Sequence, residues 1–235
     1  MRKYDTAFDR LRASGMLTWR PWVGRGYNEG GLLVLGESNY ADEENENPSP
    51  TREIAVERVN ANWHFTEEVV KRFCLKRTES NKTFDGVTHI LKAEDSMPDA
   101  EASAKVWESF AYMDLLQCAM QGKGWGHGSR QRPWKELWPQ GWKAVLAVIE
   151  ILKPGKLLFV GSGVATNCRR KLLPGGVDAK IENHRKIGSL WLRTGSLKPN
   201  GSQSIELIGI PNPGGAHGFS PDKWRDATRT ALIVR

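Results

Sequence analysis

An α/β fold, with a mostly parallel sheet covered by helices on both faces, is what this 235-residue sequence predicts. Three observations carry that expectation. Short apolar runs bounded by Gly or Pro recur along the chain, and amphipathic stretches of helical length separate them. No apolar run approaches the ~20 residues that would span a bilayer. Apolar content of 39%, with ten Trp, suits one well-filled core, so a single domain over 1–235 is expected.

The first element is the run Gly31-Leu32-Leu33-Val34-Leu35-Gly36, which reads as a buried parallel strand. Residues 37–50 are acidic, polar and end in Pro, and are expected to form a loop. Between Thr51 and Phe73, the apolar positions Ile54, Val59, Trp63, Val69, Val70 and Phe73 fit one helix or a pair. Residues 75–105 are mixed and charged without strong periodicity, and read as a variable insertion. A second strand is expected over Ser109–Asp114.

The segment 121–133 follows, rich in Gly and Arg with Trp125 among them, and reads as a second variable loop. A helix over Trp142–Leu152 should stop at Lys153-Pro154-Gly155. Leu157–Gly161 is the third strand, with Ser162-Gly163 opening a helix after it. Ile187–Thr194 fits an additional strand, and Ile205–Ile210 is the last confident run. Ser220-Pro221-Asp222 starts the final helix, with Ser as N-cap and Pro at the first position.

Composition narrows the function classes. Cys74, Cys118 and Cys168 are widely spaced, which excludes a disulfide framework and points to buried reduced thiols. The five His show no paired spacing for zinc, so neither metal nor cofactor is expected. No apolar segment resembling a signal peptide follows Met1, so a cytoplasmic location is the default, and a monomer is expected. The net charge of +7 fits either a solubilising surface or a polyanion partner.

In open α/β sheets, ligands bind beyond the carboxyl ends of the strands. Two loops fall there: Gly36-Glu37-Ser38-Asn39-Tyr40 and Pro211-Asn212-Pro213-Gly214-Gly215-Ala216-His217-Gly218-Phe219. In the first, Gly36 lets a ligand approach the backbone, and Glu37 either orients a water or caps the next helix. In the second, two prolines stiffen a chain that Gly214 and Gly215 then loosen. His217 is presented beyond them, as a catalyst or as a surface residue.

These loops resemble two motifs of the uracil-DNA glycosylase superfamily, a G-Q-D-P-Y-type loop after the first sheet strand and an H-P-S-P…H-R-G-F-type loop after the last. Tyr112-Met113-Asp114-Leu115-Leu116-Gln117-Cys118 is similar to the family's I-T-N-V-V-K-C strand end. The run from Lys153 to Gly161 is similar to its L-K-P-K-V-I-V-x-L-G strand. The four landmarks come in the family's order and span about residues 30 to 230. The resemblance implies a three-layer α/β/α sandwich around a central, mostly parallel four-stranded sheet. It also implies DNA as partner, a flipped base read in a pocket, and hydrolysis at C1′.

On that resemblance Gly36, Ser38, Asn39, Tyr40 and Asp114 form the base pocket, with Tyr40 at the position whose ring shapes the pocket and, in the family's uracil enzymes, excludes a C5 substituent. Ser162, Gly163, Asn212, Gly214 and Gly215 would hold the DNA backbone, the first two through N–H groups at a helix start. Arg130 and Arg132 would contact DNA if the 121–133 loop is not simply a linker. The departures redirect the chemistry. The family's water-activating Asp falls on Ser38, leaving Glu37 as the nearest carboxylate, and some relatives carry G-E-A-P-G there. Its first loop His falls on Ile210, leaving His217, and its wedge Leu falls on Gly214.

The base-reading Asn falls on Asp114. A carboxylate accepts from an exocyclic amine and, protonated, donates to a ring nitrogen, which is the pattern of a cytosine edge. Alternatively Asp114 only caps or pairs locally. The expectation is therefore a monofunctional glycosylase for a non-standard base such as a modified cytosine, acting in DNA repair or defence against phage DNA. A binding protein that has lost the chemistry and a hydrolase of free nucleosides or nucleotides are the alternatives.

Overall fold

The computed structural model describes residues 3–41, 52–92, 99–121, 136–161, 164–165, 173, 177–199 and 203–233. Four parallel strands form the centre: β2 (Leu32–Gly36), β4 (Ala111–Asp114), β6 (Lys156–Val160) and β9 (Ile205–Ile210), side by side as β4-β2-β6-β9. They coincide with the four confident apolar runs of the sequence. The sheet has seven strands rather than four, because antiparallel strands extend both edges. On one side β1 (Trp22–Val23) pairs with β4, and on the other β8 (Leu190–Lys198) and β7 (Asp178–Ile187) continue from β9. A separate two-stranded ribbon joins β3 (Tyr40–Ala41) to β5 (Met120–Gln121).

Alternation along the central strands sends side chains to two cores. Leu33, Leu35, Ala111, Met113, Leu157, Phe159, Ile205 and Leu207 face one core. It is covered by α1 (Asp5–Ala13) and by α6 (Leu137–Leu152), through Trp142, Val145 and Val148. Val34, Tyr112, Leu158, Val160, Ile208 and Ile210 face the other. It is covered by α3 (Phe65–Val70), α4 (Lys82–Leu91), α5 (Ala100–Trp107) and α7 (Pro221–Ile233). Both faces of each strand are therefore dry, which is why these runs are continuously apolar in sequence. A further helix, α2 (Arg52–Ala61), precedes α3. No helix among the described residues is long and apolar enough to cross a membrane.

Three sequence expectations change. Residues 75–105 include two well-packed helices instead of a variable insertion. Asn81 caps α4 by accepting from the Thr83 N–H at 3.0 Å, and Asp99 caps α5 by accepting from the Ala102 N–H at 2.7 Å. The strand expected at 187–194 is a hairpin, turning at Gly188-Ser189 with φ of +61° at the glycine. The helix expected from Trp142 begins earlier, at Leu137, and ends where foreseen, with Lys153 left-handed at φ +48°. The final helix starts at Pro221 as expected. Cys74 is buried with its thiol pKa raised by desolvation, whereas Cys118 is half-buried; Cys168 lies outside the described residues.

Candidate functional site

The first strand in sequence among the parallel four, β2, lies between β4 and β6. The chain runs from β2 to β4 on one side and later from β6 to β9 on the other, so the strand order reverses there. A crevice opens at such a switch point, beyond the carboxyl ends of the strands. Here it is a cleft of about 540 Å³, lined at its floor by Gly36, Glu37, Ser38, Asn39, Asp114 and Gly161. Backbone hydrogen bonds past the strand ends fix the floor. The N–H of Leu115 donates to the Gly36 carbonyl and that of Leu116 to the Glu37 carbonyl, both at 3.0 Å.

Asp114 is the centre of this floor and is 2% exposed. One of its carboxylate oxygens accepts from the Tyr112 hydroxyl at 2.9 Å, and the other accepts from the Asn39 side-chain amide. Gln117 donates its amide to the Asp114 carbonyl at 2.7 Å, which holds the turn after β4. Gly36 has no side chain because there is no room for one. A Cβ there would lie 2.3 Å from the Asp114 carboxylate and 2.6 Å from the Tyr112 hydroxyl. The glycine of the first loop thus serves the carboxylate's cradle.

Burial lifts the Asp114 pKa to about 7, the Tyr112 and Asn39 hydrogen bonds pull against it, and the charge of nearby Glu37 adds to the rise. Burial also raises Glu37 above the usual carboxylate range. The two carboxyls therefore titrate as neighbours, with their protons held more tightly than in water. Between an ordinary Asp pKa of 3.8 and about 7, the folded state keeps a proton on Asp114 that the unfolded chain has lost. Its contribution to stability is thus fully present below the unfolded value and is lost as pH rises through 7. Urea midpoints should fall between pH 5 and pH 8 in the wild type and change less in Asp114→Asn. Parallel declines in both proteins would show that other groups set the slope.

One wall of the cleft is aromatic. Phe65, Phe73, Phe84, Trp107 and Tyr112 line it, with Phe73 stacked on Phe84 at 5.6 Å and Phe84 edge-on to Tyr112 at 5.6 Å. Phe73 reaches this wall through a π-helical turn, Lys71–Leu75, that continues α3. Such turns carry one residue more than an α-helical turn and recur at functional sites. Here the turn puts both Arg72 and Phe73 on the cleft. The Arg72 guanidinium lies over the Phe73 ring at 4.5 Å.

The second loop also lines the cleft, clamped to the start of α4. Asn212 accepts from the Thr83 hydroxyl at 2.8 Å and from the Gly214 N–H at 2.9 Å. A Cβ on Gly86 would lie 2.2 Å from Pro213, so helix and loop touch directly. Asn212 and Gly215, expected to hold the DNA backbone, line the cleft, whereas Gly214 packs against Thr83. His217 is exposed and lies outside the cleft lining. The reason is local. The N–H groups of Gly215 and Ala216 both turn back to the Asn212 carbonyl, and Phe219 stacks on Trp224 at 5.5 Å, so the chain leaves the cleft before residue 217.

Of the residues singled out from the sequence, Gly36, Glu37, Ser38, Asn39, Asp114, Asn212 and Gly215 come together. The Ser38 hydroxyl is buried and lacks a hydrogen-bond partner among the described residues, which leaves it available on the cleft floor. Ser162, Gly163, Arg130, Arg132 and the side chain of Tyr40 lie outside the described residues. The sequence reading missed Tyr112, Arg72, Phe73, Phe84 and Arg193 as lining residues. Tyr112 was legible, because it stands two residues before Asp114 on one strand and so shares its face. Among the described residues no group of three or more His, Cys, Asp or Glu side chains is arranged to hold a metal. The chain matches no known family model and no curated protein.

Proposed function

We propose that the chain is a monofunctional DNA glycosylase that removes a non-standard base of cytosine type, acting as a cytoplasmic monomer in DNA repair or against phage DNA. The observation that carries this reading is the cleft floor, where Glu37, Asn39 and a buried Asp114 meet beside an aromatic wall. A flat heterocycle fits such a wall, and its polar edge then meets carboxyl and amide groups. The volume of the cleft exceeds that of a single pyrimidine ring, which leaves room for a ring substituent. The similarity of the two loops to the uracil-DNA glycosylase motifs supports the same chemistry.

In this reading the Glu37 carboxylate takes a proton from a water whose oxygen bonds to C1′. The C1′–N bond breaks and its electron pair passes to the base. Asp114, protonated near neutral pH by its burial, donates to the ring nitrogen, so the base departs neutral and an abasic site remains. Asn39 donates to Asp114, and that bond fixes which way its amide oxygen points. Asn39 then offers an acceptor to an exocyclic amine.

The test is direct. Single- and double-stranded DNAs carrying uracil, cytosine or 5-substituted cytosines are incubated with the protein, then treated with alkali. Strand breaks confined to substituted cytosines are expected. Breaks at uracil alone would overturn the base assignment, and intact strands throughout would overturn excision.

A further inference from the structure

The β7–β8 hairpin forms part of the cleft mouth and has no role in the chemistry above. Ser189, Leu190, Trp191 and Arg193 all line the cleft. Trp191 is 39% exposed, one of two large apolar side chains exposed to that degree among the described residues. Its neighbours give that exposure a direction. Trp191 pairs across the hairpin with Lys186, and directly opposite residues share a face of a sheet. Arg193, two residues along β8, lies on the same face as Trp191, while Leu192 between them is 1% exposed in the core.

The result is an indole with a cation on either side, Arg193 in the cleft lining and Lys186 across the hairpin from it. The hairpin as a whole carries Lys180, Arg185, Lys186, Arg193 and Lys198 against Asp178 and Glu182. Its tip lies beside the second loop, since a Cβ on Gly218 would stand 3.6 Å from the Ser189 hydroxyl. The Arg193 guanidinium donates to the Asn183 side chain at 3.3 Å, which extends it along the same surface.

We propose that this hairpin grips the DNA strand entering the cleft, with Trp191 stacking on the base beside the flipped nucleotide and Lys186 and Arg193 facing its phosphates. The proposal rests on the glycosylase reading for the identity of the strand. Aromatic faces stack on any base, and cations beside them meet the backbone. Gly214, at the position of the family's wedge residue, has no side chain to fill the gap left by a flipped base. A hairpin that lines the cleft and bears an exposed indole supplies one.

The probe is an oligonucleotide with a tetrahydrofuran abasic analogue and 2-aminopurine as its neighbour. Wild-type protein should bind it and quench the 2-aminopurine. Trp191→Ala should weaken binding about tenfold, the scale of one lost stack, and abolish the quench. Trp191→Phe should retain most of both, and Lys186→Ala with Arg193→Ala should flatten the salt dependence. Unchanged affinity and quenching in Trp191→Ala would overturn the proposal, as would wild-type protein that does not bind the probe. Melting curves of the variants exclude misfolding. Excision assayed on the same preparations separates the two readings: quenching without excision retains the hairpin and removes the enzyme, and excision insensitive to Trp191 does the reverse.

Discussion

Glu37→Gln should lower base excision by roughly 10²- to 10⁴-fold while leaving affinity for the abasic probe within a few-fold of wild type. The amide keeps the shape of the side chain and loses only the capacity to take a proton from water. Glu37 is held between the end of β2 and Gly161, with its carbonyl bonded to Leu116, so the substitution should not disturb the floor. The pH profile supplies a second readout. Burial raises the Glu37 pKa, so the wild-type rate should climb with pH above the usual carboxylate range as the base form appears. It should fall again above about 7, as Asp114 loses the proton it donates. Single-turnover rates from pH 5 to 9 test both limbs. A Gln variant that retains wild-type rates would remove Glu37 from the chemistry.

Trp107→Ala should be the most destabilising single change at the site, costing about 3–5 kcal/mol. Trp107 is fully buried, and its ring contacts Phe84 at 5.4 Å, Phe110 at 4.9 Å and Tyr112 at 5.6 Å. Its indole N–H donates to the Thr88 hydroxyl at 2.8 Å, and its carbonyl accepts from the Trp22 indole at 2.9 Å. The truncation leaves a cavity in the aromatic wall and removes the indole N–H that the Thr88 hydroxyl accepts from, leaving that hydroxyl only its bond to the Phe84 carbonyl. Tyr112 then loses a packing neighbour, and with it the firm placement of the hydroxyl that holds Asp114. Chemical denaturation should show a lower midpoint with an unchanged slope. A loss below 1 kcal/mol would mean that the wall closes over the gap.

The parallel centre of the fold was legible because its strands are buried on both faces and so read as unbroken apolar runs. Gly36 and Glu37 followed, since strand ends in such sheets converge on a crevice, whereas Asp114 was pointed to only by the resemblance of its strand end to the glycosylase motif. The rest failed for definable reasons. In β7 only Ile181 and Ile187 are buried, so a strand of ten residues shows no alternation. Helix α4 buries Phe84, Val87 and Ile90 in a polar context broken by Gly86, whose presence reflects contact with Pro213 in a loop 127 positions away in sequence. His217 stood in a promising string, but where a loop leaves a cleft depends on turns that its neighbours make with Asn212. Trp191 carried no local signal, because exposure of a Trp is set by what the tertiary structure leaves uncovered.

The π turn at Lys71–Leu75 has a consequence for how this cleft changes over evolutionary time. A π turn amounts to one residue inserted into an α-helix, and deleting one residue there restores the regular winding. Each helical residue accounts for a rotation of roughly 100°. A single in-frame codon loss would therefore swing the retained part of the wall away from the floor in one step, while the strands and their carboxylates stayed in place. Point substitutions could only resize Arg72 or Phe73. Lineages with this architecture should diversify in the ligand they accept by length changes in that turn sooner than by replacing the residues at the floor.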